Sequence, residues 1–506
     1  MAISTKVLVL ALDAAEPALL LRWAAEGKLP NIARLMARGA YSKMETPPGL
    51  SGATWPTLQT GVNTARHGWY FYSQLRPGSY RTQLVSRSEI QVPEFWSTLS
   101  DAGKRVAILD IPKSYPTQGL NGIHVVDWGN HDLDIIDGFR TWPPELRGKL
   151  DQRYGHDPFN RHAFGARGPT DLSAFTDGLC KNIERKSGMV VDLLGQESWD
   201  MLFASWDDVH WAGHYGWRQH DPEHPHHDPK LAAKIGDPIE RVLVTADRCI
   251  GNIVARAGPE TTVMLLASHG MGPAYRTALL LDPILRRLES AQEGRRNAYW
   301  KLRGIWDSLP GQVHRPLAYV KDLVRETLLA RDRARRRHFV MPCNNDGGGI
   351  RLNVIGREPE GKIQPGAEYD EHCRWLMESL SAVVDADTGE PILQQVVKIA
   401  DHMAGPQLDN LPDLAMQWNV GPATKRITSP QIGEIEVDIP FWRNGEHLPH
   451  GFLLSTAPGV VPGPIDRTVR SEDFAPTVCE LLGVPLSDID GGVIKEMAPK
   501  ALEDAA

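Results

Sequence analysis

The chain has 506 residues, 42% of them hydrophobic and 23% charged, with a formal net charge of −8. This composition excludes a disordered chain, and the acidic balance speaks against a nucleic-acid binder, which would carry a basic stripe. The five cysteines are odd in number, far apart and never in a C-x-x-C pair, which argues against both a disulfide framework and a thiolate zinc site.

Residues 7–12 form a continuous apolar run closed by Asp13. The run is too short for the apolar region of a signal peptide, and no stretch reaches the roughly 18 apolar residues of a membrane span. The expected address is therefore the cytoplasm, with no membrane partner. A run this short reads as a buried parallel strand. Taken alone, Asp13 at its end reads as a turn or cap residue. Helical spacing follows in residues 17–21 and 31–37, with Pro30 placed as a helix start and Gly39 as a stop.

Residues 49–61 (GLSGATWPTLQTG) crowd small residues around two hydroxyls where a helix begins. Ser51 or Thr54 reads either as the cap of that helix or as a nucleophile. In the second case backbone N–H groups and the helix dipole stabilise its alkoxide and the phosphate it attacks.

Residues 105–111, 123–126, 201–205, 262–268 and 452–455 read as further buried strands, and 181–194 and 238–257 as helices. This alternation predicts an α/β fold: a mostly parallel central sheet with helices on both faces, its working residues just past the carboxyl ends of strands. Two poorly periodic segments, about 142–170 and 276–345, read as cap insertions in a single domain spanning 1–506. Inside the second, residues 331–337 (RDRARRR) follow an amphipathic stretch. They read as a solvated helix end, or as a patch for an anionic or membrane-surface partner. Residues 471–484 read as a helix ending at Gly483.

The strand ends carry the chemistry. After residues 201–205 come Asp207, Asp208, His210 and His214. Two histidines four apart share a helix face, the spacing that presents two imidazoles to one metal. His220, His224, His226 and His227 follow in a Pro-rich loop expected to be solvent-exposed. Ser268-His269-Gly270-Met271-Gly272 closes the strongest strand, and Gly445-Glu446-His447 precedes the last one. Asn344-Asn345-Asp346, followed by three glycines, reads as a turn or as pocket lining. Each of these residues alone has a structural explanation; five such segments together indicate a site.

In this order the segments resemble the alkaline phosphatase superfamily, in particular its type I phosphodiesterase/nucleotide pyrophosphatase-like branch. Leu29-Pro30-Asn31-Ile32-Ala33-Arg34-Leu35 is similar to that family's T/L-P-N-x-x-x-L helix, and Thr60-Gly61-Val62-Asn63 through Arg66-His67-Gly68 to its T-G-x-x-P-x-x-H-G. His269-Gly270-Met271 is similar to D-H-G-M, Gly445-x-His447 to G-x-H, and Asp473-Phe474-Ala475-Pro476-Thr477 with Leu481-Leu482-Gly483-Val484 to D-x-A-P-T…L-G-V-P.

The resemblance implies a hydrolase of phosphate esters that passes through a phosphoryl-enzyme and uses two divalent metal ions, Zn²⁺ with Mn²⁺ or Fe²⁺ as alternatives. One ion would be held by Asp13, the nucleophile and His269, the other by His210, His214 and His447. Counting back from Gly61 favours Ser51 as nucleophile, with Thr54 the competitor because Thr54-Trp55-Pro56 mimics T-F-P. The partner is a small phosphate ester, mono- or diester, with Tyr72, Asn344 and Asn345 as substrate-binding candidates. His210 and Ser268 stand where the family has aspartates, and Tyr72 about where it has a phosphate-binding Asn. A sulfatase on the same fold is the alternative, although Ser51-Gly52-Ala53-Thr54-Trp55 lacks the Pro and Arg of the sulfatase maturation motif. A binding protein that keeps the fold without turnover is the other.

Overall fold

The computed structural model describes residues 5–85, 89–129, 138–155, 169–275, 278–293, 318–439, 441 and 443–499. Parts of both expected insertions, 156–168 and 294–317, lie outside them.

The strand Thr5–Leu12 (β1) shows why an unbroken apolar run belongs in the middle of a sheet. Side chains alternate between faces. Leu8, Leu10 and Leu12 enter one core with the helices on their side, while Val7, Val9 and Ala11 enter a second core with Trp55, Phe95, Trp96 and Phe474. Both faces are covered, so neither half of the alternation is polar. Each such Leu or Val, fully buried, contributes about 1.5–3 kcal/mol.

Six further strands of this sheet are Ala40–Glu45 (β2), Val106–Leu109 (β3), Gly122–Val126 (β4), Arg140–Trp142 (β5), Trp199–Trp206 (β6) and Thr262–Ala267 (β7). Beside it lies the short Gly270–Pro273 (β8). A second, four-stranded sheet contains His338–Met341 (β9), Gly347–Leu352 (β10), Leu393–Lys398 (β11) and Leu414–Trp418 (β12). Gly445–Leu448 (β13) pairs antiparallel with β8, and His450–Ser455 (β14) returns to the main sheet.

The main sheet runs β2-β14-β7-β1-β6-β3-β4-β5, extended past β2 by residues 463–464 and 469–470. Its centre, β7-β1-β6-β3-β4, is parallel; β14 and β5 are antiparallel to their neighbours. The expected α/β architecture is therefore the observed one. Helices Thr54–Thr60 (α1), Leu172–Gln196 (α2), Asp208–His220 (α3) and Pro238–Ala257 (α4) cover it, α2, α3 and α4 from one face. Asp171 and Asp237 cap α2 and α4, each accepting from two backbone N–H groups.

Several local readings change. Residues 445–448 are themselves a strand rather than the lead-in to one. Residues 471–484 are a 3₁₀ turn, Ser471–Asp473, followed by the short helix Phe474–Leu481. His224 is buried at 3% exposure, so the Pro-rich histidine loop is not simply solvated. The basic run is solvated in part: Arg331 and Arg335 are exposed, whereas Arg333 pairs with Glu326, Arg336 with Asp282 and Glu289, and Arg337 with Glu368. Arg336, 5% exposed, ties the helix Ala318–Arg335 to the helix Leu281–Glu293. Periodicity could not show the Arg336 and Arg337 pairs, because their acids come from other elements. Among the described residues no helix is long and apolar enough to cross a membrane.

Candidate active site

The parallel centre of the sheet sets Asp13, Asp207 and Ser268 side by side, since β1, β6 and β7 end together: Leu12 lies opposite Trp206 and Ala11 opposite Leu266. The Asp13 backbone N–H donates to the Trp206 carbonyl at 3.0 Å. Asp13 is 1% exposed and accepts from Trp55 Nε1 at 2.9 Å and from Ser268 Oγ at 2.5 Å. Its other oxygen lies 3.3 Å from His210 Nδ1.

Asp13 thereby links two groups of imidazoles. The Ser268 hydroxyl has one proton and gives it to Asp13, so the 2.9 Å contact to His269 Nδ1 is one in which the ring donates. His269 then keeps its lone pair on Nε2. On α3, His210 and His214 face the same way, as their spacing predicts, and β13 brings His447 to them. His214 Nε2 lies 2.7 Å and His447 Nε2 2.8 Å from His210 Nε2. His214 Nδ1 donates to the Gly445 carbonyl at 2.8 Å, and His210 Nδ1 faces Asp13. The His214 ring thus turns its Nε2 lone pair toward His210 Nε2, a contact that a cation held between the two rings would relieve. A ring N–H anchored on a backbone carbonyl is the usual support of a metal-ligating histidine. His447 is held neutral, well below the ordinary imidazole range, by burial and by the neighbouring imidazoles.

Among the described residues His210, His214 and His447 are the one group of three whose ligand atoms converge for a metal ion. Of the two aspartates ahead of His210, Asp208 accepts from Asn182 on α2 at 2.9 Å and Asp207 from Trp211 at 3.2 Å.

The hydroxyl loop departs from both capping readings. Residues 51–53 form a 3₁₀ turn ahead of α1, and no side chain caps the helix. Thr54 is fully buried and its hydroxyl donates back to the Ser51 carbonyl at 2.8 Å. Ser51 Oγ instead donates to Asp346 Oδ1 at 2.7 Å and accepts from Asn344 Nδ2 at 2.9 Å. Asn344 Nδ2 is also 3.2 Å from His447 Nδ1, which sets Ser51 beside the histidine group. The turn is packed without slack: a Cβ on Gly49, whose φ is +64°, would fall 2.6 Å from Ala415 Cβ of β12, and one on Gly52 would fall 2.4 Å from the Tyr70 carbonyl oxygen.

Asp346 was visible in the sequence only as part of a turn before three glycines. The second sheet delivers it, and burial together with the nearby Glu446 charge pushes its carboxyl up to about 7, against the hydrogen bond from Ser51. Asn345 donates to Glu446 Oε2 at 3.1 Å rather than to Ser51. Tyr72 is 42% exposed, its ring against Phe71. Sequence reasoning passed over Arg443 altogether. It pairs with Glu446 and lies 3.0 Å from His214 Nε2, and its only signal was a place two residues before Gly445. Asp346, Glu446 and His447 open on a shallow cleft walled by Tyr275, Trp418 and Pro449.

Residues 7–370 match the family model of type I phosphodiesterase / nucleotide pyrophosphatase. No curated protein sequence matches the chain. Among solved structures, phosphonoacetate hydrolase from Sinorhizobium meliloti, in complex with phosphonoformate, superposes with a TM-score of 0.52 at 14% identity, over 95% of this chain and 96% of that one. Murine ectonucleotide pyrophosphatase / phosphodiesterase 5 gives 0.48 at 12% identity, over 96% and 97%.

Proposed function

Because the chain belongs to the type I phosphodiesterase / nucleotide pyrophosphatase family, whose members hydrolyse phosphoesters, we propose that it cleaves a small phosphate ester by attack of Ser51 Oγ on phosphorus. The observation that carries this is the setting of Ser51: its hydroxyl is held between Asp346 and Asn344, one hydrogen bond from the side chain that touches His447. Asp346 accepts the hydroxyl proton and Asn344 donates to the same oxygen, which leaves one Oγ lone pair for attack. Thr54 has spent its hydroxyl on a backbone carbonyl inside the turn.

His210, His214 and His447 fit a divalent ion, Zn²⁺ by ligand type with Fe²⁺ or Mn²⁺ as alternatives. Bound there, the ion supplies Lewis-acid stabilisation of charge on the phosphoryl oxygens. Asp13 faces His210 at 3.3 Å and, through Ser268, fixes the proton of His269 on Nδ1. We assign no step to a second ion.

The test is the metal content of the purified protein, with cleavage of p-nitrophenyl phosphate and bis-p-nitrophenyl phosphate before and after chelation. The expected result is bound metal and chelator-sensitive release of p-nitrophenol, lost in Ser51→Ala and Asp13→Ala. A metal-free protein that cleaves neither ester would sink the proposal in favour of a binding protein on this fold.

A further inference from the structure

Arg443 is clamped from one side. Its Nε lies 3.1 Å from Glu446 Oε2, and its Nη2 lies 3.2 Å from Glu446 Oε1 and 3.0 Å from His214 Nε2. A guanidinium has five N–H donors in one plane. Glu446 takes one from Nε and one from Nη2, and the second Nη2 N–H lies against His214 Nε2, whose lone pair a bound cation would claim instead. The two on Nη1 have no acceptor among the described residues, and the side chain is 31% exposed. The same plane that meets the metal-candidate histidines therefore presents a free pair of donors.

The charge is also well placed. Arg443 touches His214 of the histidine group, and Asn344, which donates to Ser51 Oγ, lies 3.2 Å from His447 of the same group, so guanidinium and hydroxyl belong to one site. Glu446 divides its oxygens between Arg443 and Asn345 and so fixes the guanidinium plane.

We propose that Arg443 is a substrate-binding residue whose Nη1 N–H groups donate to the non-bridging oxygens of the phosphoryl group attacked by Ser51. The proposal rests on the phosphoester reading above. A planar fork matches two phosphate oxygens, which a lysine ammonium cannot reproduce. Fixed donors aimed at oxygens that gain charge in the transition state act on turnover as well as on binding.

The experiment is calorimetric titration of inorganic phosphate into the purified, metal-analysed protein as wild type, Arg443→Ala and Arg443→Lys, beside kinetics on bis-p-nitrophenyl phosphate. Phosphate affinity is expected to fall about 10- to 100-fold in Arg443→Ala, the usual weight of charge-assisted hydrogen bonds, and to recover only partly in Arg443→Lys. Both kcat and kcat/KM should fall in parallel, at unchanged metal content. Wild-type phosphate affinity in both variants, or no phosphate binding by the wild type, overturns the proposal. If Arg443→Ala unfolds or loses metal, Arg443→Lys decides: weaker phosphate binding at full metal content supports the assignment, and unchanged binding overturns it. Wild-type protein that binds phosphate through Arg443 but cleaves neither ester would sink the hydrolase reading alone.

Discussion

Two hydroxyls three residues apart have opposite fates here. Thr54 is fully buried and bonds its own turn, whereas Ser51 reaches across to the second sheet. Thr54→Ala should therefore cost stability, about 1–2 kcal/mol for a lost buried hydrogen bond and methyl, while cleavage stays within a few-fold of wild type. Ser51→Ala also removes buried hydrogen bonds, so its stability cost is of the same order, but it should lower turnover on the order of a thousandfold or more. Exchange of these two phenotypes would make Thr54 the nucleophile.

At the scale of elements, the metal-candidate group depends on how closely β13 approaches α3. A Cβ on Gly445 would sit 2.1 Å from the Gly213 carbonyl oxygen, and the Gly445 carbonyl itself accepts from His214 Nδ1. Gly445→Ala must push the strand off the helix, parting His447 from His214 and loosening the ring that this carbonyl orients. Metal affinity, read by competition with a chelator, should fall about 10- to 100-fold, the usual effect of disturbing a ligand's outer partner. Gly148→Ala, in a helix where the added methyl meets nothing within 4 Å, should leave it unchanged. A buried pair joins α2 to the end of β3 in the main sheet: Lys186 lies 2.8 Å from Asp110, with both side chains at 2% exposure or less. Lys186→Met removes the cation from that buried carboxylate and should cost about 3–5 kcal/mol in urea unfolding.

For the whole molecule, buried imidazoles set an acid limit. His224 and His372 are each lowered to about 4, chiefly by burial. His338, which touches His372 at 3.0 Å, is also held well below its ordinary value by burial. The folded protein leaves these rings neutral, whereas the unfolded chain protonates them near pH 6.5. Unfolding therefore takes up protons between about pH 4 and 6.5, so stability falls as pH drops through that window, at most about 1.4 kcal/mol per unit for each ring. Urea midpoints at pH 7, 6 and 5 should decline, and His372→Gln should flatten the decline. Equal midpoints at pH 7 and 5 would contradict the buried neutral state.

What could be read from the residues alone was whatever has a short repeat or a fixed local order. The strand runs, the H-x-x-x-H face and the order of motifs depend on neighbours in the chain, and they led to the α/β sheet and to Asp13, His210, His214, His269 and His447. Folding settled the contacts between distant segments. Asp346 reaches Ser51 across 295 positions and His447 reaches His210 across 237, while Arg443 meets His214 with no pattern to announce it. The basic run likewise became an internal ion-pair network only when acids from other elements arrived. Periodicity records which face of an element is apolar; it carries no record of which polar group from elsewhere will be packed against that face, and that choice decides the chemistry.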